Sequence, residues 1–338
     1  MPIWYNQTCD DVPLNDRHCI GKRLFIALLL PLSWLYCVIV QMRRWAYQHN
    51  WLTSVRLAIP VIVVGNLTVG GTGKTPLVLR LAARLRERGK TPAILTRGYG
   101  GAARKWPQVV RPNSDPAQVG DEPVLLARRS GCLVIAGPNR VAAGNLALQL
   151  GCDIVLTDDG LQHYRLARKV EIALIDGERG FGNGHCLPAG PLREPPRRLE
   201  SVDLRLYHGG MQRQPQMHLI PSAAVNLRQP NLTRSLAEFR GQRVLAVAGI
   251  GYPARFFNSL IALGLDLELR PYPDHHRFTA ADVAQWPPLP VLMTEKDAVK
   301  CAALAGANHW FVPVEAAVDA EFLAQFERLV FGNGEKNA

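Results

Sequence analysis

Thr68-Val69-Gly70-Gly71-Thr72-Gly73-Lys74-Thr75 is the stretch that decides how the chain is read. Residues 60–64 before it form a short apolar run and read as a strand. Residues 74–88 after it put Val78, Leu81 and Leu85 on one face, with Gly89 past the end, and read as a helix. A glycine-rich loop between a strand and a helix is the context of a Walker A phosphate loop. Thr68 replaces the first glycine of G-x-x-x-x-G-K-[ST]. The glycines let the backbone curl so that its N–H groups face phosphate oxygens, and the helix N-terminus adds partial positive charge. Thr68, Val69, Gly70, Gly71, Thr72, Gly73, Lys74 and Thr75 are therefore the expected nucleotide contacts. Lys74 suits the β- and γ-phosphates and Thr75 suits Mg2+. Pro76 is tolerated in the first helical turn, where its missing N–H has no helical partner.

Outward from the loop, residues 93–96, 132–136, 154–157 and 171–175 are further apolar runs alternating with helical stretches. One helix starts near Asp121, with Pro123 in its first turn. This rhythm predicts an α/β fold of the P-loop NTPase type, with a mainly parallel, doubly wound sheet. The run Ile154-Val155-Leu156-Thr157 ends in Asp158-Asp159, the form of a Walker B segment. Adjacent carboxylates repel unless a cation neutralises them, so Asp158 and Asp159 join Thr75 as expected Mg2+ ligands. Residues 177–200 are rich in Gly, Pro and Arg without an apolar period, and so long a connection reads as a functional loop. A second α/β unit starts near Arg243, with strands at 244–248, 291–294 and 310–312. The expected organisation is a leader at 1–19, a membrane-associated helix at 20–50, a phosphate-loop domain at 51–235, a smaller C-terminal α/β lobe at 236–332 and a tail at 333–338.

Residues 24–40 are apolar apart from Ser33 and Tyr36 and carry no charge; Lys22-Arg23 precede them and Arg43-Arg44 follow. Seventeen residues are at the short limit for a spanning helix, and Pro31 is expected to interrupt the run. Cationic flanks on both sides suit a helix lying in one leaflet interface; a true span and a buried core helix are the alternatives. A cleaved signal peptide is disfavoured, because no A-x-A site follows and a nucleotide loop belongs in cytosol. Lys and Arg number 39 against 28 Asp and Glu, an excess that favours an anionic partner. Aromatics make up only 7%, and no zinc-finger or RNA-binding signature is present. Phosphate or a membrane surface is thus expected, and nucleic acid is not. Seven cysteines with no C-x-x-C pair read as reduced thiols.

Five segments together resemble the tetraacyldisaccharide 4'-kinase family. They are Val64-Gly65-Asn66-Leu67-Thr68 running on to Pro76, Arg97-Gly98-Tyr99-Gly100, Gly120-Asp121-Glu122-Pro123, Asp158-Asp159-Gly160-Leu161-Gln162-His163 and Leu187-Pro188-Ala189-Gly190-Pro191-Leu192-Arg193-Glu194. Pro273-Asp274-His275-His276, Thr294-Glu295-Lys296-Asp297 and the N-terminal apolar helix also fit, so the resemblance covers roughly residues 22–330. It implies transfer of the γ-phosphate of ATP to the 4'-hydroxyl of tetraacyldisaccharide 1-phosphate, giving the bis-phosphorylated lipid A precursor, lipid IVA. It also implies work at the cytoplasmic face of the inner membrane, with peripheral or monotopic attachment. The partners implied are the acylated disaccharide 1-phosphate lipid and the membrane surface, with no obligate protein partner.

The resemblance further implies that Asp121 is the base a sugar hydroxyl needs, with His275 as its partner and Asp274 orienting the histidine. The two should meet although they come from different lobes. Without the resemblance, Asp121 is equally a helix-start residue favoured by the dipole, and His275 a surface-loop histidine. Arg193 and Glu194 match positions near the lipid substrate, where Arg193 suits a phosphate; the bland alternative is an exposed ion pair. Tyr99 packs on a sugar ring or caps a loop, and Gln162 is carried over as a group near nucleotide or metal.

Two other classes compete. Val69 to Thr75 resembles the deviant loop of partitioning ATPases and metal-centre GTPases, but Val69 stands where their signature lysine would be. Thr294-Glu295-Lys296-Asp297 also lacks the Asn of a guanine motif. A non-enzymatic membrane anchor would leave the loop, the paired aspartates and Asp121 without a purpose.

Overall fold

The structure is a computed structural model and describes residues 17–210 and 214–332. The expected leader lies outside the described residues up to position 16, as does the tail at 333–338. Two compact units emerge. Of the described residues, the first takes 17–74, 154–210, 214–218 and 318–332; the second takes 75–153 and 219–317.

In the first unit the strand Val61–Gly65 is parallel to Ile154–Asp158 on one side and to Val170–Asp176 on the other. All three are buried along their whole length. That explains why each reads as a continuous apolar run instead of an alternating one: a parallel strand covered on both faces has no wet side. Val170–Asp176 is in turn parallel to Leu204–His208. The register sets Val64 beside Asp158, so the start of the phosphate loop and the carboxylate pair leave the sheet at the same, C-terminal end. The C-terminal helix Ala320–Phe331 buries Phe322, Phe326 and Val330, spaced by four residues on one face.

The N-terminal helix Arg17–Gln48 runs unbroken through Pro31. The expected interruption does not occur. Proline removes one hydrogen bond and crowds one carbonyl, and the bonds on either side of it carry the helix on. The stretch Leu24–Gln48 is long and apolar enough to cross a membrane, with a mean hydropathy of 2.2 over its best window. Leu24, Leu28, Leu32, Trp34, Leu35, Val38, Ile39 and Met42 are all exposed, which rules out the buried-core alternative. Its polar side chains point the other way. Ser33 Oγ donates to the Cys186 carbonyl at 2.7 Å, Tyr36 Oη to the Arg193 carbonyl at 3.2 Å, and Arg44 to Ser201 Oγ at 2.6 Å.

In the second unit, Pro92–Thr96 and Leu133–Ala136 are parallel, with the short Gln108–Val110 antiparallel at the edge. The helices Lys74–Glu87, Asp121–Ser130 and Arg140–Gln149 accompany them. A separate six-stranded sheet is centred on Arg243–Ala248, between Asp266–Pro271 and Val291–Thr294, all parallel. His309–Val312 follows in parallel, and Ala224–Asn226 and Thr233–Arg234 close the edge antiparallel. Two apolar clusters cover this sheet. Val244, Ala246 and Ala248 pack with Phe256, Phe257, Leu260 and Trp310 on one face; Leu245 and Val247 pack with Phe278, Trp286 and Met293 on the other. The period of two places alternate residues in opposite clusters.

Candidate active site

The phosphate loop joins the buried strand Val61–Gly65 to the helix that begins at Lys74. Gly70 and Gly73 adopt φ of 98° and 90°, which only glycine reaches without strain. A Cβ on Gly73 would also lie 2.8 Å from His208 Nδ1. That ring nitrogen contacts the Thr72 carbonyl at 2.7 Å and so braces the loop from beneath. The 177–200 segment is tied to it from the side. Val69 N donates to the Pro191 carbonyl at 2.8 Å and Arg193 N to the Leu67 carbonyl at 2.7 Å. Arg179, anchored by Asp176, donates to the Gly71 carbonyl at 2.7 Å. The loop is thus pre-formed by its neighbours, with Thr68 and Thr72 buried in it.

Lys74 Nζ donates to Asn66 Oδ1 at 2.9 Å and lies 3.3 Å from Asp159. Arg193 Nη1 lies 2.8 Å from both Asp159 carboxylate oxygens. Burial would raise the Asp159 carboxyl, but the two cations outweigh it and hold the group far below the ordinary carboxylate range. Asp159 takes φ of 57°, a left-handed conformation that turns it toward these partners. Its neighbour Asp158 ends the strand and is almost fully buried. Asp159 therefore serves as counter-charge to Lys74 and Arg193 in this structure, a role the bare sequence of adjacent carboxylates did not suggest.

Glu194 points inward, away from Arg193, and is 1% exposed. It accepts from Gln162 Nε2 at 2.9 Å and from the Tyr164 hydroxyl. Gln162 also reaches the Asn66 carbonyl at 3.2 Å. Arg198 lies behind, bidentate on Glu171 at 2.7 Å to each oxygen. Gln162 and Glu194 thus form a buried support beneath Asn66 and Arg193, and the exposed ion pair considered for Arg193 and Glu194 is not formed. Asn66, Arg179 and His208 were not among the expected site residues. Asn66 stands in a segment that carries the family resemblance, whereas the only sequence signal of Arg179 and His208 is position, at the end of a strand or just after one.

The second unit holds the other group. Asp121 is the first residue of the helix Asp121–Ser130 and is 6% exposed. His275 Nδ1 lies 3.3 Å from Asp121 Oδ2. The two are in contact, and both belong to this same unit where different lobes were expected. His275 sits at φ of 59° in the Pro273-Asp274-His275-His276 turn, and its backbone N–H donates to Asp274 Oδ1 at 3.0 Å. The exposed Tyr99 ring packs beside it, with centroids 4.9 Å apart. Burial raises the Asp121 carboxyl, yet the His275 contact and the charges of Lys296 and Lys300 bring it below its ordinary value. The Asp121 contact raises His275 above its ordinary value, against burial and the Lys296 charge. Thr75 is the second residue of the helix that starts at Lys74.

A curled glycine loop entering a helix at a lysine, on a parallel α/β sheet, defines the class: a nucleotide-phosphate-binding α/β protein. Comparison narrows it. Residues 25–330 match the family described as LpxK, Tetraacyldisaccharide-1-P 4'-kinase. A tetraacyldisaccharide 4'-kinase of Alkalilimnicola ehrlichii is 52% identical over 293 residues, covering 85% of this chain and 87% of that protein. One from Nitrosococcus oceani is 50% identical over 304 residues, covering 88% of each. The crystal structure of Aquifex aeolicus LpxK in complex with ATP superposes with a TM-score of 0.74 at 28% identity, covering 91% of this chain and all of that one. The chain belongs to the tetraacyldisaccharide-1-P 4'-kinase family.

Proposed function

We propose that this protein transfers the γ-phosphate of ATP to the 4'-hydroxyl of tetraacyldisaccharide 1-phosphate, forming lipid IVA. The observation that carries the reading is the Asp121–His275 contact. In a chain of this family it supplies the proton acceptor that an alcohol needs before it can attack phosphorus. The acceptor hydroxyl gives its proton to Asp121, its oxygen bonds to the γ-phosphorus, and the bond to the bridging oxygen breaks, its electron pair leaving with ADP. The first unit holds phosphates through the loop 68–74, and Lys74 exchanges Asp159 for phosphate oxygens. Arg193, released from Asp159 in the same exchange, serves the transferring group or the substrate's own phosphate. Tyr99 offers an exposed ring to the sugar.

The side chains of Thr75, Asp158 and Asp159 carry oxygen donors alone, the chemistry that suits a hard ion such as Mg2+. Asp159, freed from Lys74 and Arg193 in that exchange, would hold it together with Asp158. When bound, Mg2+ neutralises charge on the phosphate oxygens. The apolar face of the N-terminal helix holds the protein at the cytoplasmic face of the inner membrane, where an acylated substrate resides.

Incubation with γ-labelled ATP, Mg2+ and tetraacyldisaccharide 1-phosphate in detergent tests this. The expected result is label on the disaccharide, dependent on Mg2+. ATP hydrolysis without any transfer to the lipid would overturn the assignment.

A further inference from the structure

Thr294-Glu295-Lys296-Asp297 has no part in the proposed reaction, yet each of its four side chains has a partner. Thr294 caps the helix Glu295–Cys301 by accepting from Asp297 N. The Asp297 carboxylate braces the turn by accepting from Gly249 N at 2.9 Å and pairing with Lys300 at 2.7 Å. The next two side chains reach the helix that begins with Asp121. Glu295 pairs with Arg129 at 2.7 Å and Lys296 with Glu122 at 3.0 Å. Two ion pairs thus fix the helix of Lys296 against the helix of Asp121.

Lys296 does more than pair. Its Nζ lies 3.4 Å from His275 Nε2 and 3.5 Å from Asp274 Oδ1. The two ring nitrogens of His275 therefore face opposite groups, Nδ1 a carboxylate and Nε2 an ammonium. An ammonium carries only donors, so the nitrogen facing it must offer its lone pair. The other nitrogen must then carry the hydrogen. We propose that Lys296 is a positioning residue for the reaction: by donating to Nε2 it fixes His275 as the Nδ1–H tautomer, with that hydrogen directed at Asp121. This rests on the reading of Asp121 as the base.

The consequence is a division of labour within the pair. A proton taken from the acceptor hydroxyl stays on Asp121, because His275 already donates at Nδ1 and is blocked at Nε2. His275 orients the carboxylate and does not relay its proton. Lys296 remains an ammonium: burial acts against its charge, but Glu122, Asp121 and Asp274 more than compensate and raise it. The one competing contact is Asp274 Oδ1, 3.9 Å from Nε2, which is beyond hydrogen-bond reach and longer than the lysine contact. The groups facing His275 are Asp274 from its own turn, Asp121 and Glu122 from one helix, Lys296 from the other, and the Tyr99 ring. His276 turns away to Asp282 at 3.2 Å.

The sign of each perturbation follows. Protonated His275 keeps its Nδ1–H but loses the Lys296 contact at Nε2 and sets a positive charge beside Asp121 that weakens it as a base, so activity falls on the acid side. Lys296→Met removes a positive neighbour, eases protonation of His275, and moves the acid limb of the kcat/KM profile up by about one pH unit. Glu122→Gln leaves the lysine charge uncompensated and moves the same limb down. Lys296→Arg keeps the charge and holds the limb in place. A purely structural clamp would lower the rate without opposite shifts. The tautomer is read directly by 15N NMR of the full chain labelled at histidine, with His275 assigned by difference against His275→Gln. Nδ1–H in the wild type and opposite shifts in the two variants are expected. An Nε2–H ring in the wild type, or unmoved acid limbs in both variants, would overturn the proposal. Undiminished kcat in Asp121→Asn would instead overturn the reading of the base, while the NMR result still decides the role of Lys296.

Discussion

Lys74→Ala should cost far more activity than stability, and the structure gives the scale. Nζ lies 3.3 Å from an Asp159 carboxylate oxygen, with the lysine side chain 12% exposed. At an effective dielectric constant of about 20, two unit charges at that distance attract by about 5 kcal/mol before desolvation is subtracted. In the folded, nucleotide-free protein much of that is recovered on removal, because Arg193 still contacts both Asp159 oxygens. The stability loss should therefore be only about 1 kcal/mol. A transferring phosphoryl group carries more negative charge than a carboxylate, and a preorganised cation aimed at it contributes about 3–4 kcal/mol to the transition state. That is a loss of about two to three orders of magnitude in kcat. Initial rates of label transfer at saturating ATP and Mg2+ measure it, with urea unfolding followed by circular dichroism as the stability control. A Lys74→Ala enzyme within tenfold of wild-type kcat would refute the claim that this lysine works on the phosphoryl group. An unfolding midpoint shifted by several kcal/mol would show that its ion pair is structural instead.

Arg198→Met removes both 2.7 Å contacts to Glu171 while Arg168 still pairs with that carboxylate at 2.6 Å, and should destabilise the protein by about 2 kcal/mol, measured by urea unfolding; no loss would show the Arg198 pair to be dispensable. Leu28→Asp with Leu35→Asp places charge on the exposed face of the N-terminal helix and should release the protein from anionic lipid vesicles in a flotation assay, whereas extraction of the intact protein by salt alone would show attachment to be electrostatic. Asp121 and His275 pull stability in opposite directions with pH. The depressed Asp121 contributes stability that is present above about pH 4 and lost as pH falls through its lower folded value. The raised His275 contributes stability that is present below about pH 6.5 and lost as pH rises through its higher folded value. Asp121→Asn should therefore flatten both limbs of a stability–pH curve measured by denaturant titration, and unchanged limbs would rule the pair out as their source.

The parts of the site that the sequence disclosed are those made by neighbours in the chain. The phosphate loop needs glycines at 70 and 73, a strand before it and a helix after it, and all of these are written locally. The helix start at Asp121 was legible for the same reason, since Gly120, acidic first-turn residues and Pro123 fall together. The partner of Asp159 was not legible. Two adjacent carboxylates read as a metal pair because the sequence shows their mutual repulsion but not the arginine 34 positions away that relieves it. The surroundings of Glu194 were not legible either: the sequence left it near the lipid substrate or in an exposed ion pair with Arg193, and only the fold reveals that it is buried against Gln162 and Tyr164. Lys296 entered only as part of a segment that fits the family and fails a guanine motif, because its relation to His275 and Glu122 exists in three dimensions alone.

The N-terminal helix shows the same division within a single element. Its apolar run has two polar exceptions, Ser33 and Tyr36, which in the sequence look like tolerated impurities. In the structure they are docking points. Together with Arg44 and Tyr47 they fall on one stripe of the helix, at the spacing a helix repeats along a face. Ser33 and Tyr36 bind carbonyls of the very segment that carries Arg193, Arg44 binds Ser201, and the Tyr47 ring lies 5.9 Å from that of Tyr164. The opposite face offers Leu28, Leu32, Leu35 and Ile39 to the surroundings. A helix built only to anchor would have no reason to place its few polar groups on the backbone beside the arginine that holds Asp159. A helix built only to brace that segment would have no reason to expose so many leucines. The two faces together make the element that is long and apolar enough to cross a membrane the same one that steadies the arginine loop. Tyr36→Phe should accordingly leave vesicle binding intact while weakening the fold by about 1 kcal/mol, the net worth of one hydrogen bond. Loss of vesicle binding in that variant would show that the two faces are not independent.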